Sequence, residues 1–360
     1  MIAERPLTYG TIALLNLGAQ IDALEPEVRL GRATVEVRMG LVELITLRGL
    51  IIGRIADYVR AEEIALQLVR DAPTDPRAFV ARARTRAIFH WFDDALADLD
   101  RAERFSFDAE TANGERAAIF QAVGRYDEAL TLREEAAARR ASFENVAALV
   151  GLHAERGEIE AAERRYAESR SRYRGVSPFP LALLDFQLGL MWMNKDQLHN
   201  ARRSFEVALC GVPAYAPAQG HLAEVEAQLG EIDSAVARLY SLAASSDDPD
   251  YAAQLARILA ESGRDRESWH WRRLAAARFG ELMANRPEAF ADHAAEFWLA
   301  AGADPHKALR FAKMNMEVRN TPRARALLAQ AVAANGPGRR VAAVTRPLKA
   351  TKFPVKPEVW

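Results

Sequence analysis

Apolar residues recur along this chain at i, i+3, i+4 and i+7 spacing, the period of an amphipathic helix. The apolar stretches come in pairs split by a short turn. Taking Gly49 as an anchor, the series runs through Tyr58, Ala61, Ala65, Leu68 and Pro73. From Gly189 the same steps reach Leu198, Ala201, Phe205, Ala208 and Pro213. The series returns from Ala83, Ala117, Val150 and Ala223, and more weakly from Ala256 and Ala295. Copies lie about 34 residues apart, with about five residues added before Gly189 around Ser177-Pro178-Phe179-Pro180. A fixed period of this size is the mark of a repeat array. Eight copies fill residues 42–322.

Each copy predicts two helices. Gly124, Gly157, Gly230 and Gly263 fall between them, where a helix C-cap calls for a left-handed residue. The small residue of the first helix faces the Ala of the second, so the two can approach closely, and the bulky residue fills the gap. Pro73, Pro213 and Asp247-Asp248-Pro249 stop the second helix. Strict alternation is confined to accidents such as Thr34-Val35-Glu36-Val37, so no sheet is expected.

These residues resemble the tetratricopeptide repeat family. The likeness covers more than three-quarters of the chain, and the copies at 42–75 and 182–215 fit nearly every slot. Gly-Arg-Tyr-Asp-Glu-Ala-Leu at 124–130 and Asn-Ala-Arg-Arg-Ser-Phe-Glu-Val-Ala-Leu at 200–209 are its most specific segments. The departures are Arg133 and Arg272 at bulky slots, and Asp265 where Tyr or Phe is usual. The resemblance implies an all-α, right-handed α-α superhelix of about eight helix pairs, whose first helices line a concave groove. A stack of this kind needs end caps. The expected organisation is capping helices over 1–41, with Tyr9 to Leu24 covering the first repeat, then the array over 42–322. A cap helix over 323–336 and a basic, Pro-containing extended tail over 337–360 complete it.

Composition adds limits. The chain has 70 Ala, which favours helix. Its 42 Arg against 6 Lys read as genomic bias. With 48 basic and 49 acidic residues, duplex nucleic acid is not an implied partner. The tail carries +5, leaving −6 on the rest, and Phe353 and Trp360 give it apolar anchors. One cysteine, Cys210, excludes an intrachain disulfide framework and multi-Cys metal sites. It reads as a small core residue. No stretch is apolar enough to span a membrane, and the start lacks a secretory pattern, so a cytoplasmic location is expected.

No phosphate loop or nucleophile elbow occurs, and no cofactor is expected. His221 with Glu224, and His293 with Glu296, lie three apart on one helix face in equivalent slots. Two repeats separate the pairs, too far for one shared metal ion. They read as decoration of the groove, and no metal is assigned. Trp91, Trp192, Trp269, Trp271 and Trp298 read as packing residues.

The register projects Arg54, Arg84, Gln121, Phe186, Gln187, Met193, Asn194, His221, Glu224, Gln254, Arg257, His293 and Glu296 onto the groove. Some tetratricopeptide domains grip a C-terminal carboxylate with a Lys/Asn/Lys/Arg clamp. Here the equivalent slots hold Thr46, Leu50, Val80, Arg84, Gly114 and Ala118, which speaks against that mode. Arg84→Glu, or Arg257→Glu together with Glu224→Arg, is expected to weaken binding in the groove and leave the fold intact. The resemblance points to a non-catalytic scaffold or adaptor for another protein or peptide. The alternatives are a structural subunit that self-associates and, less favoured, an enzyme or small-molecule sensor built in the groove.

Overall fold

The computed structural model describes residues 7–336. Among them are eighteen α-helices and no strand. α1 spans Gly10–Arg29. Pairs follow as α2 (Val35–Ile52) with α3 (Ile55–Asp71), α4 (Pro76–Ile88) with α5 (Phe92–Arg104), and α6 (Ala109–Val123) with α7 (Tyr126–Arg139). Next come α8 (Phe143–Glu155) with α9 (Ile159–Arg172), and α10 (Phe179–Asn194) with α11 (Leu198–Gly211). The last pairs are α12 (Ala216–Gln228) with α13 (Ile232–Ser245), α14 (Pro249–Glu261) with α15 (Asp265–Asn285), and α16 (Pro287–Leu299) with α17 (Pro305–Val318). α18 (Pro322–Ala334) closes the series. The basic tail expected over 337–360 lies outside the described residues. No helix among them is long and apolar enough to cross a membrane.

The residues group into two compact units. The first comprises 7–191 with 203–218, and the second 192–202 with 219–336. In both, the turn inside a pair is set by one backbone position, seven residues after the repeat anchor. It is left-handed in six successive copies: His90 (φ 60°), Gly124 (89°), Gly157 (81°), Asp196 (62°), Gly230 (88°) and Gly263 (76°). Glycine reaches this region at no steric cost, whereas His90 and Asp196 hold it against their Cβ atoms. The next turn, from one pair to the following, uses a different device. Asp75, Asp108 and Asp248 accept hydrogen bonds from the first free amides of α4, α6 and α14. Thr34 does the same for α2, accepting from the Val37 amide at 3.4 Å. That cap starts the helix at Val35, ahead of the boundary at 42 expected from the repeat register.

Close approach within a pair depends on the anchors. A Cβ on Gly49 would lie 3.0 Å from the Asp57 Cβ and 3.1 Å from the Tyr58 ring. On Gly189 it would collide with the Phe205 ring, 2.6 Å from Cδ1 and 2.9 Å from Cζ.

The helix pairs also bury acids, five of them held by arginine. In the first unit Asp57 receives both arms of Arg48 at 2.7 Å. Asp98 is fully buried and receives Arg82 at 2.7 and 2.8 Å, and Arg86 at 2.5 Å. Asp185, on α10, receives Arg170 and the Tyr166 hydroxyl. In the second unit Glu226 receives Arg238 and Asp292 receives Arg319. The guanidinium fork satisfies two carboxylate oxygens at once, which a lysine cannot do. The arginine excess therefore has structural employment in this fold.

The two arginines at bulky slots are resolved differently. Arg133 occupies the position held by Leu99, Phe205 and Leu239 in other copies and donates to the Ala148 carbonyl. Burial pulls its pKa down to about 10, against the pull of Glu155. Arg272 points outward and donates to the Gly302 carbonyl at 2.8 Å, while Trp271 takes the core position.

Two sequence expectations about core residues fail. Trp269 is 58% exposed, with the Arg273 guanidinium 4.7 Å above its ring. Residues two apart on a helix point about 200° apart, so Trp269 and Trp271 cannot both face inward. Cys210 is exposed, because Ala201, Phe205 and Ala208 already supply the buried stripe of α11.

α1 also departs from the expected cap. Its far end does meet the first pair, with Glu25 3.5 Å from Arg60 of α3. Its beginning, however, meets the turns after α9 and α11 in the first unit. The Thr8 amide donates to the Val176 carbonyl at 2.8 Å. Gly10 packs so tightly that a Cβ there would collide with the Gly211 carbonyl and lie 2.9 Å from the Val212 Cα. A helix of 20 residues is about 30 Å long, enough to link the first pair to the fifth. It is a strut across this unit as well as a lid on its end.

Candidate functional site: the shared face of the first helices

In the second unit, α12, α14, α16 and α18 present polar side chains to one another in successive rungs. His221 Nδ1 is 3.7 Å from Glu224, and Glu224 is 3.9 Å from Arg257 of the next first helix. His293 pairs with Asp250 of α14, and Glu296 pairs with Arg323 of α18. All of these are half-buried. Arg257 also reaches the more exposed Glu261 at 3.3 Å. Burial pushes the Glu224 carboxyl up, but the adjacent His221 and the Arg257 and Arg323 charges outweigh it and hold its pKa below the ordinary range. Its share of stability is present at neutral pH and fades as pH falls from the ordinary glutamate value toward the lowered one. Arg323 shows the converse. Burial works against its charge, yet Glu296, Asp292 and Asp250 raise its pKa. Gln254 Oε1 and Arg323 Nε are buried with no hydrogen-bond partner.

The first unit carries a parallel set of rungs. Arg84 of α4 pairs with Glu43 of α2 and donates to Glu115 of α6 at 2.7 Å. Burial opposes its charge, but the two carboxylates prevail and raise its pKa. Gln121 of α6 donates to Glu155 of α8. Gly151 faces the gap between them and α10, where a Cβ would make ordinary contact 3.6 Å from the Gln187 amide and 3.7 Å from that of Gln121.

The expected groove residues thus fare unequally. His221, Glu224, Arg257, His293 and Glu296 join one rung system in the second unit, and Arg84, Gln121 and Gln187 lie on the corresponding face of the first. Arg54 sits in the α2–α3 turn as the residue before α3, with Asp57 at 3.8 Å. Met193 and Asn194 end α10, where the Met193 carbonyl accepts the Asp196 amide. Phe186 is no groove residue. It is 3% exposed, packed 5.7 Å from the Phe205 ring and 5.2 Å from that of Tyr215. One residue is 100° of helix, so Gln187 faces outward where Phe186 faces the core.

The rungs also revise the expected tolerance to charge reversal. Arg84→Glu would set a third carboxylate between Glu43 and Glu115. We expect it to cost about 1–3 kcal/mol, read as a lowered urea midpoint, with Arg84→Met costing less. Equal midpoints for wild type and Arg84→Glu would contradict the contact.

No family model matches the chain, and no curated protein matches its sequence. Solved structures do match. Human IFIT1, determined as a dimer with PPP-AAAA, aligns with TM-score 0.54 at 15% identity, covering 88% of this chain and 78% of that one. TTC0263, a thermophilic TPR protein of Thermus thermophilus, aligns at TM-score 0.40 and 22% identity, covering 57% of this chain and 98% of its own. The succession of packed helix pairs makes the fold tetratricopeptide-like. The Cut9–Hcn1 hetero-tetramer of the APC/C is a further similar structure, at TM-score 0.49 and 16% identity over 87% of this chain and 52% of that one.

Within the tetratricopeptide-like array, Arg323 is the residue that sequence reasoning missed. The sequence places it in the cap helix over 323–336, yet it completes the rung with Glu296. A signal was present. Pro322-Arg323 repeats the Pro249-Asp250 and Pro287-Glu288 starts of α14 and α16, so α18 begins as another first helix and places its second residue on the shared face. Among the described residues no group of three His, Cys, Asp or Glu is placed to hold a metal ion. His293 turns to Asp250 of the neighbouring helix, and Glu296 turns to Arg323.

Proposed function

We propose that this protein is a non-catalytic cytoplasmic scaffold that binds an extended polypeptide along the first-helix face of its second unit. The observation that carries the reading is the rung system itself. Four successive first helices offer half-buried carboxylates, guanidinium groups, imidazoles and the Gln254 amide along one line. Such a row suits a ligand that alternates donors and acceptors along its length, as a peptide backbone with mixed side chains does. IFIT1 was determined with PPP-AAAA, but the face described here favours polypeptide. Glu224, Asp250, Glu261 and Glu296 stand against Arg257 and Arg323, so phosphates would meet repulsion more often than attraction.

The paired swap Glu224→Arg with Arg257→Glu preserves an ion pair while reversing the polarity met by a ligand. Peptides selected from a displayed random library on the wild-type protein should bind the swap at least about tenfold more weakly. Far-UV circular dichroism should stay unchanged, while the thermal midpoint falls modestly, because the swap keeps the pair but sets a carboxylate beside Glu261 and a guanidinium beside His221. Equal binding by the swap, with loss instead on Trp269→Ala of the outer helix α15, would move the function to that other surface.

A further inference from the structure

α1 has an unusual outer face for a helix on a water-exposed surface. From Leu7 to Ile21 it contains no charged residue. Gly10, Ala13, Leu17 and Ile21 form the stripe that packs down on the first unit. On the other side Tyr9 is 78% exposed, Leu15 73% and Ile12 47%, with Leu7 beside them. Ile12, Leu15 and Ala19 follow at i, i+3 and i+7, so they make one continuous strip. Gly18, Ala19 and Ala23 leave its lower half flat. The strip opens roughly 450 Å² of apolar side chain, within the range of functional patches on single chains.

We propose that this strip is a self-association surface, with α1 pairing antiparallel against the α1 of a second copy. Two-fold pairing sets the same patch against itself, so any charge in it would meet its like. A strip without charges escapes that penalty, and small residues let two helix axes approach to about 8 Å. Counted on both copies, the apolar strip supplies about 900 Å², more than half of the roughly 1,600 Å² that a standard specific interface buries. A lipid surface fits worse. Interfacial helices carry Lys and Arg on the polar side, whereas the charges that follow this strip begin with Asp22, Glu25 and Glu27.

Sedimentation velocity of the full chain between about 1 and 100 μM tests the pairing. The wild type should pass from one chain mass to two. Leu15→Glu should stay at one chain mass, weakening association at least about a hundredfold, because a buried carboxylate would face an apolar partner. Its far-UV circular dichroism and melting midpoint should match the wild type, since Leu15 is exposed in the single chain. A single mass for the wild type at every concentration would overturn the proposal, as would a dimer that survives Leu15→Glu. Binding of the wild type to neutral lipid vesicles, lost in Leu15→Glu, would overturn it in favour of a membrane.

Discussion

Gly189→Leu should be among the most damaging single substitutions in the first unit, costing about 3 kcal/mol or more. Overpacking a core usually costs about 1–3 kcal/mol, when neighbours can shift. Here they cannot shift cheaply. The Cβ alone would lie 2.6 Å from Phe205 Cδ1 and 2.9 Å from its Cζ. Phe205 is itself fully buried, with Phe186 packed against its ring, and Phe186 meets Tyr215 edge-on in turn. Moving the ring therefore disturbs three aromatic side chains and separates α10 from α11. Amide exchange should accelerate first in these two helices, and the urea midpoint should fall. Gly189→Ala should show a smaller loss of the same kind, since it adds the colliding atom without the rest. An unchanged midpoint in Gly189→Leu would mean that the repeat register is wrong.

Asp98→Ala should cost nearly as much, about 3–5 kcal/mol. Asp98 is fully buried on α5 and neutralises Arg82 and Arg86, both of which are mostly covered. Removing the carboxylate leaves two guanidinium groups without their acceptor in a place water scarcely reaches. The triple change Asp98→Leu with Arg82→Leu and Arg86→Leu should be milder than Asp98→Ala, because it removes the charges together and restores apolar packing. Denaturant unfolding of the two variants decides this. If Asp98→Ala proves the milder of the two, the arginine forks add little to the fold.

The arrangement of helices was legible in the sequence because the repeat uses small residues where backbones touch and glycine where the chain must turn left. Gly124, Gly157, Gly230 and Gly263 were placed between helices on that logic, and all four have positive φ. Asp196 and His90 take the same conformation without announcing it. The candidate site was less legible, for two physical reasons. A helix face is defined to within about 100° by one residue, which is why Phe186 was assigned outward while its neighbour Gln187 holds that position. Pairing between helices is also invisible in a single helix's pattern. His293 and Glu296 share a face, but Asp250 and Arg323, distant in sequence, decide what each one does. Arg84 reads as a free groove charge for the same reason, although Glu43 and Glu115 stand on either side of it. The strut made by α1 left no sequence trace beyond the uncharged run from Leu7 to Ile21, since nothing in residues 7–29 names the distant turns it meets.

Site-specific photo-crosslinking tests the binding assignment most directly. A benzophenone side chain placed at Gln254, on the first-helix face of the second unit, should crosslink to a bound library-selected peptide. The same group at Trp269, on the outer helix α15, should not. Crosslinks at Trp269 and none at Gln254 would contradict the assignment and place the partner on the opposite surface.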